Sequence, residues 1–429
     1  MLYTVQRGDT LSAVARAYGV SVDRLHSDNG VPAGQPLVPG QCLVILRPAR
    51  VYTVQPGDTL FSVARTAGVT VRRLYQLNPT LTSSGLRAGQ ALTLTLEEAP
   101  AGTLGLNGYA YPHIQPQVLR WALPFLTDLS VFSYGFRTDG TLVEPDDAFL
   151  LAQADAFGCG RVLVFSSIDE SGTFSTERAA RLFRDRDLQG RVLDGLLAVM
   201  TAKGYRGLDM DFEYIAPDDA PLYFDFLADA RDRLHAGGFF LHADLAPKTY
   251  AAQPGLLYAA HDYAVIGAIA DSVLLMTYEW GYAYGPPMAV APLPNVERVL
   301  RYGLTEMPAG KIQMGIPNYG YDWTLPYEPG TRAVTLGNRE ALSLAAETGA
   351  EIVFDPQAHS PQFQYVRGGV RHQVWFEDAR SIRAKLDLAL SLGLGGAAWW
   401  SLLRPFPQNW ALVSGTVESR AGQDVFFIT

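Results

Sequence analysis

The chain has 429 residues, 48% apolar and 18% charged, with 41 Gly and 27 Pro; this composition fits folded domains and argues against extensive disorder or one small module. Forty-three acidic residues against 34 basic ones leave a net charge of −9, which disfavours nucleic acid and anionic membrane surfaces and leaves a neutral partner as the better fit. No apolar run reaches the roughly 18 residues of a membrane helix, the opening residues lack the apolar core of an export signal, and Cys42 and Cys159 are too few for a disulfide framework or a multi-cysteine zinc site.

The first elements form a repeat. Tyr3-Thr4-Val5-Gln6-Arg7-Gly8-Asp9-Thr10-Leu11 recurs 49 residues later as Tyr52-Thr53-Val54-Gln55-Pro56-Gly57-Asp58-Thr59-Leu60, and the match continues through Asn29 and Asn78 to Gly40-Gln41 and Gly89-Gln90. In each copy Tyr-Thr-Val reads as a short strand, and Gly-Asp as a turn in which Asp9 or Thr10 can cap the following helix. A second short helix follows near Val22 to Asp28, and Gly40 to Ile45 closes with a strand able to pair with the first. The unit is strand, helix, helix, strand, and it resembles the LysM domain over residues 1–47 and 50–96. That resemblance implies binding to N-acetylglucosamine-containing glycans such as peptidoglycan or chitin. Residues 97–103 hold Glu97-Glu98-Ala99-Pro100-Ala101-Gly102, a polar stretch that reads as a linker with a boundary near residue 100.

Short apolar runs then recur near Leu104–Tyr109, Leu129–Phe136, Arg161–Ser166, Gly207–Glu213, Phe240–Leu245, Val273–Tyr278, Ile312–Pro317 and Ala397–Leu402. Helical patterns such as Leu188–Lys203 and Leu222–Ala236 separate most of them, so residues 104–429 read as an α/β domain, a (β/α)8 TIM barrel. The longer gap between the seventh and eighth runs is read as an inserted subdomain, roughly Asp322 to Trp375.

Chemistry concentrates on the fourth run. Asp209, Asp211 and Glu213 alternate with Leu208, Met210 and Phe212, so the three carboxyls share one face of a strand and rise toward the C-terminal mouth of a barrel. Carboxyls this close raise one another's pKa, which suits a general acid near neutral pH. A divalent cation or a structural acidic row are the blander readings, but no further oxygen ligands can be identified. No metal and no cofactor are expected.

Asp209-x-Asp211-x-Glu213 resembles the signature of family-18 glycoside hydrolases, the chitinase-type barrels; Met276-Thr277-Tyr278-Glu279 and Gly395-Gly396-Ala397-Ala398-Trp399-Trp400 resemble that family's sixth and eighth strands. Arg206 stands at the signature's first Asp, Glu279 replaces an Asp, and Ser166-Ser167-Ile168-Asp169 departs from the third-strand motif. The resemblance implies substrate-assisted hydrolysis. Glu213 is the acid, Asp211 holds the sugar's acetamido group, Asp209 tunes Asp211, Tyr278 orients the acetamido oxygen and Trp400 is the platform for the sugar ring. Glu279 falls beside the acetamido site, and Trp280, Tyr319, Tyr321 and Trp323 are further subsite candidates. With the LysM pair, the chain looks like the cortex-lytic N-acetylglucosaminidase branch of the family, implying peptidoglycan as partner and a spore coat, cortex or cell-wall location. A chitinase, or a non-catalytic lectin or spore-coat protein, are the alternatives.

Overall fold

Eight parallel strands close on themselves: β1 (Gly102–Ala110), β2 (Asp128–Phe136), β3 (Gly160–Ser166), β4 (Gly207–Asp211), β5 (Phe240–Leu245), β6 (Ser272–Leu275), β7 (Ile312–Pro317) and β8 (Gly396–Trp400). Each pairs with its successor, and β1 joins both β2 and β8 to complete the barrel. The computed structural model describes residues 1–32, 34–81, 85–168 and 172–420; Asp169 of the third-strand motif lies outside them. Three strands are shorter than the apolar runs suggested: β4 stops at Asp211, β6 at Leu275 and β8 at Trp400. The residues beyond these ends turn away to form the mouth. Helices Arg186–Lys203 and Ala220–Ala236 fall where the periodicity places them, the first capped by the Asp185 side chain and closed by Gly204 at φ 65°.

The β7–β8 connection carries a five-stranded antiparallel sheet, Gly320–Leu325, Val334–Leu336, Val353–Asp355, Ser360–Arg367 and Val370–Trp375, with helix Asn338–Thr348. It starts two residues before the expected Asp322, at Gly320, where a Cβ would lie 2.3 Å from the Trp375 carbonyl oxygen. Only glycine admits that approach.

The two repeats fold alike. In the first, Leu2–Thr4 pairs antiparallel with Cys42–Val44 around helices Leu11–Tyr18 and Val22–Asn29. In the second, Pro48–Thr53 pairs with Ala91–Leu96 around Leu60–Ala67 and Val71–Leu77. The repeated residues do repeated work. Thr10 and Thr59 cap the first helices, while Asp9 and Asp58 accept from the Gln6 and Gln55 amides and from the hydroxyls of Tyr3 and Tyr52. Asn29 and Asn78 each tie the second helix to the closing strand through three backbone hydrogen bonds.

Both repeats are docked on the barrel. Arg72 Nε donates to the Pro124 carbonyl at 2.7 Å and Arg73 to that of Ser414 at 3.2 Å. From the barrel side, Gln408 Nε2 donates to Asn29 Oδ1 at 3.0 Å and to the Cys42 carbonyl at 2.8 Å. Cys42, Val44 and Leu46 belong to the same apolar core as the barrel's outer layer. The stretch read as a linker is tied at its end, where the Ala101 amide donates to the Thr416 carbonyl. Among the described residues no helix is long and apolar enough to cross a membrane.

Candidate active site

The alternation of β4 buries Leu208 and Met210 among the outer helices' apolar residues and turns Asp209 and Asp211 into the barrel. Glu213 follows two residues past the strand end, and Tyr214 next to it takes φ 56°, a left-handed conformation that bulky residues rarely hold. The chain therefore leaves the barrel just after the acid and leaves Glu213 at the cavity wall.

That cavity, about 430 Å³, is lined by Asp211, Glu213, Tyr214, Asp244, Tyr258, Met276, Tyr278, Glu279, Tyr282 and Trp400 among others. A second one of about 330 Å³ adjoins it, lined by Tyr111, Asn318, Tyr319, Tyr321, Arg404, and again Glu279 and Trp400. Trp400 and Glu279 line both cavities and thus stand between them. Trp400 rests on an aromatic bed, with ring centroids 4.9 Å from Phe132 and 5.6 Å from Tyr109. Tyr278 is brought over the carboxyl row because β7 carries Gly315, where a Cβ would lie 2.7 Å from the Tyr278 ring.

Glu279 adopts φ 66° and accepts from the hydroxyls of Tyr319 at 2.5 Å and Tyr321 at 2.9 Å. The residue read from sequence as a departure is held by two tyrosines of the inserted subdomain's approach. Trp323 does not line the groove, contrary to the sequence expectation: it is 1% exposed and its indole Nε1 donates to the Gly285 carbonyl. Trp280 packs half-buried against the barrel core and lines neither cavity. Arg206 points away from the chemistry, paired with Asp128 and lying over the Phe240 ring at the strands' N-terminal end.

Burial, then the negative charge of Glu279, pushes the Glu213 carboxyl up to about 7. Asp211 is held well above the usual carboxylate range by burial and by the charges of Glu213 and Asp209, and Asp209 is pushed up to about 7 by burial. Glu213 therefore titrates close to neutral pH, the range that suits a general acid.

Sequence reading missed Tyr109 and Asp244. Tyr109 Oη lies 2.8 Å from Asp209 Oδ2 and 2.8 Å from Asp244 Oδ1. The signal was present: Phe240-Leu241-His242-Ala243-Asp244 alternates as β4 does, and His242 faces Asp209 in register. Asp209, His242 and Asp244 bring ligand atoms within 4.8 Å of one another, but the Tyr109 hydroxyl already bridges the two carboxyls and Ser272 Oγ engages His242 Nδ1 at 2.6 Å. Among the described residues Asp209 Oδ1 and His242 Nε2 have no hydrogen-bond partner.

The profile for glycosyl hydrolases family 18 matches residues 171–404, and that for the LysM domain matches 3–46 and 52–95. The cortical fragment-lytic enzyme of Bacillus subtilis (strain 168) is 45% identical over 422 residues, 96% of this chain and 97% of that protein. The crystal structure of the Bacillus cereus spore cortex-lytic enzyme superposes with a TM-score of 0.82 at 35% identity, covering 99% of both chains. A chitinase from Chromobacterium violaceum is 26% identical with a TM-score of 0.68, covering 73% of this chain and 98% of its own.

Proposed function

This chain belongs to glycosyl hydrolases family 18, and from that premise we propose that it is a spore cortex-lytic hydrolase that cleaves peptidoglycan fragments after N-acetylglucosamine, held on its substrate by the two LysM domains and located in the spore. The observation that carries the reading is the row Asp209, Asp211, Glu213 rising to a groove floored by Trp400, with Glu213 still able to carry a proton near pH 7.

In this mechanism Glu213 protonates the glycosidic oxygen. The sugar's own acetamido carbonyl oxygen attacks the anomeric carbon, an exception to the two-carboxylate scheme. Asp211 accepts a hydrogen bond from the acetamido N–H as positive charge develops, Asp209 sets the charge of Asp211, and Tyr278 orients the acetamido oxygen. The Trp400 ring supports the sugar's apolar face. Once the leaving group departs, Glu213 takes a proton from the attacking water. Glu279, Tyr319 and Tyr321 bind the sugar on the far side of Trp400.

A chitinase reading shares every one of these steps, because chitin carries the same acetamido group. Digestion of muramidase-treated cortex, intact sacculi and chitin oligosaccharides, with mass analysis of the products and proton NMR of the first-formed anomer, separates the readings. The expected result is cortex fragments ending in N-acetylglucosamine, released first as the β-anomer. Faster turnover of chitin oligosaccharides would favour the chitinase, and an initial α-anomer would overturn the substrate-assisted route.

A further inference from the structure

Below the catalytic row the structure holds a hydrogen bridge that the mechanism above does not use. The Tyr109 hydroxyl contacts Asp209 Oδ2 and Asp244 Oδ1, each at 2.8 Å, and all three residues are at most 4% exposed. A phenol has one hydrogen to donate, and an ionised carboxylate has none. Two hydrogen bonds at one phenol oxygen therefore require a second hydrogen, and only a protonated carboxyl can supply it. The bridge stores one acid proton.

Its place follows from the neighbours. Asp209 sits two residues from Asp211 on the same strand face. Asp244 lies one strand away, and the nearest base on its own strand, His242, has Nε2 3.6 Å off, beyond hydrogen-bond reach. Burial pushes His242 down to about 3, so it is neutral and offers Asp244 no positive charge. The other titratable groups acting on Asp244 are Tyr109 from β1 and Asp209, Asp211 and Glu213 from β4 and its extension. Tyr278 after β6 and Tyr223 on helix Ala220–Ala236 face it from outside the row. None of these is a cation. Accordingly Asp244 is held well above the usual carboxylate range by burial and by the charges of Asp209 and Asp211.

We propose that Asp244 is a positioning residue for the hydrolytic site: it holds the bridge's proton and donates it to Tyr109, so that Tyr109 donates in turn to Asp209 and the negative charge stays beside Asp211. This rests on the glycosidase reading for Asp209 and Asp211 and extends it to a residue on another strand. It also explains how two carboxyls share one buried phenol without mutual repulsion.

The amide of Asp244→Asn imitates the neutral acid, because its NH2 group can donate to Tyr109; Asp244→Leu cannot. On muramidase-treated cortex, Asp244→Asn should keep kcat within about threefold of wild type, whereas Asp244→Leu should lose about tenfold or more with KM little changed. The alkaline limb of the kcat profile should stay in place in Asp244→Asn, since no charge has been removed. Were Asp244 ionised, its removal would let the Glu213 pKa fall and move that limb about one unit or more to lower pH. If Asp244→Leu does not fold, Tyr109→Phe breaks the same bridge and should show the same loss in kcat. An Asp244→Asn variant as poor as Asp244→Leu, a displaced limb, or wild-type behaviour in every variant would overturn the proposal. Infrared difference spectra of wild type against Asp244→Asn at pH 7 read the proton without turnover: a protonated carboxyl band lost in the variant is expected, and its absence would contradict the inference even in an enzyme that failed the glycosidase assay.

Discussion

The two LysM repeats have the same fold and the same capping and bridging residues, yet they meet different surroundings. In the first, the segment before the closing strand is pressed against the inserted subdomain. The Ile352 amide donates to the Pro39 carbonyl at 2.9 Å, Arg380 donates to the Gly40 carbonyl at 3.0 Å, and Val38 joins the subdomain's apolar cluster. In the second, the equivalent residues Arg87, Ala88 and Gly89 are exposed. The closing strands differ in the same sense, with Cys42 buried and Ala91 exposed. A repeat in sequence is therefore not a repeat in energetics: the first copy shares the barrel's apolar core and packs on the inserted subdomain, and the second leaves the matching turn exposed.

The largest test of that comparison is deletion of residues 1–97. Read as two domains on a polar linker, the chain should leave a barrel that is unchanged by the cut. Docked as observed, the cut exposes the helix Pro407–Thr416, whose Trp410 is 7% exposed and stacks on Phe125 at 5.4 Å, together with the apolar surface under Cys42, Val44 and Leu46. Loss of several kcal/mol of burial should lower Tm by roughly 10 °C or more and cause aggregation. A truncated barrel melting with the full chain would mean that the modules are merely tethered.

A smaller and sharper test compares matched glycines. Gly40 has φ 81° and a Cβ there would fall 1.8 Å from the Ile352 carbonyl oxygen; Gly89 has φ 83° and no atom within 4 Å of its Cβ position. Gly89→Ala should cost about 1 kcal/mol, from backbone strain alone. Gly40→Ala carries the same strain plus a backbone clash and should cost more than about 3 kcal/mol. Urea unfolding of both variants decides it: equal costs would remove the distinction between the copies.

What could be read in the sequence was what local pattern controls. The 49-residue repeat, the apolar runs of the barrel and the Asp209, Asp211, Glu213 row all follow from spacing along one strand or helix. What could not be read was set by contacts between distant segments. Arg72 and Arg73 look like solvated helix charges, yet they bond to barrel carbonyls more than 50 residues away. Trp323 follows a strand end and reads as a further subsite candidate, but its indole finds a buried carbonyl partner. Alternation along Phe240–Asp244 marks Asp244 as facing the barrel interior, but its partners appear only when β1, β4 and β5 bring Tyr109, Asp209 and Asp244 together.

The central claim is that Glu213 delivers the proton at the mouth of the barrel. The direct measurement is kcat of Glu213→Gln on soluble muramidase-treated cortex fragments, alongside its Tm and its retention on insoluble cortex. The amide has nearly the same shape and cannot donate an acid proton, so kcat should fall by at least about 10²-fold while Tm and retention are kept. Activity within about tenfold of wild type in a folded, glycan-retaining variant would contradict the assignment.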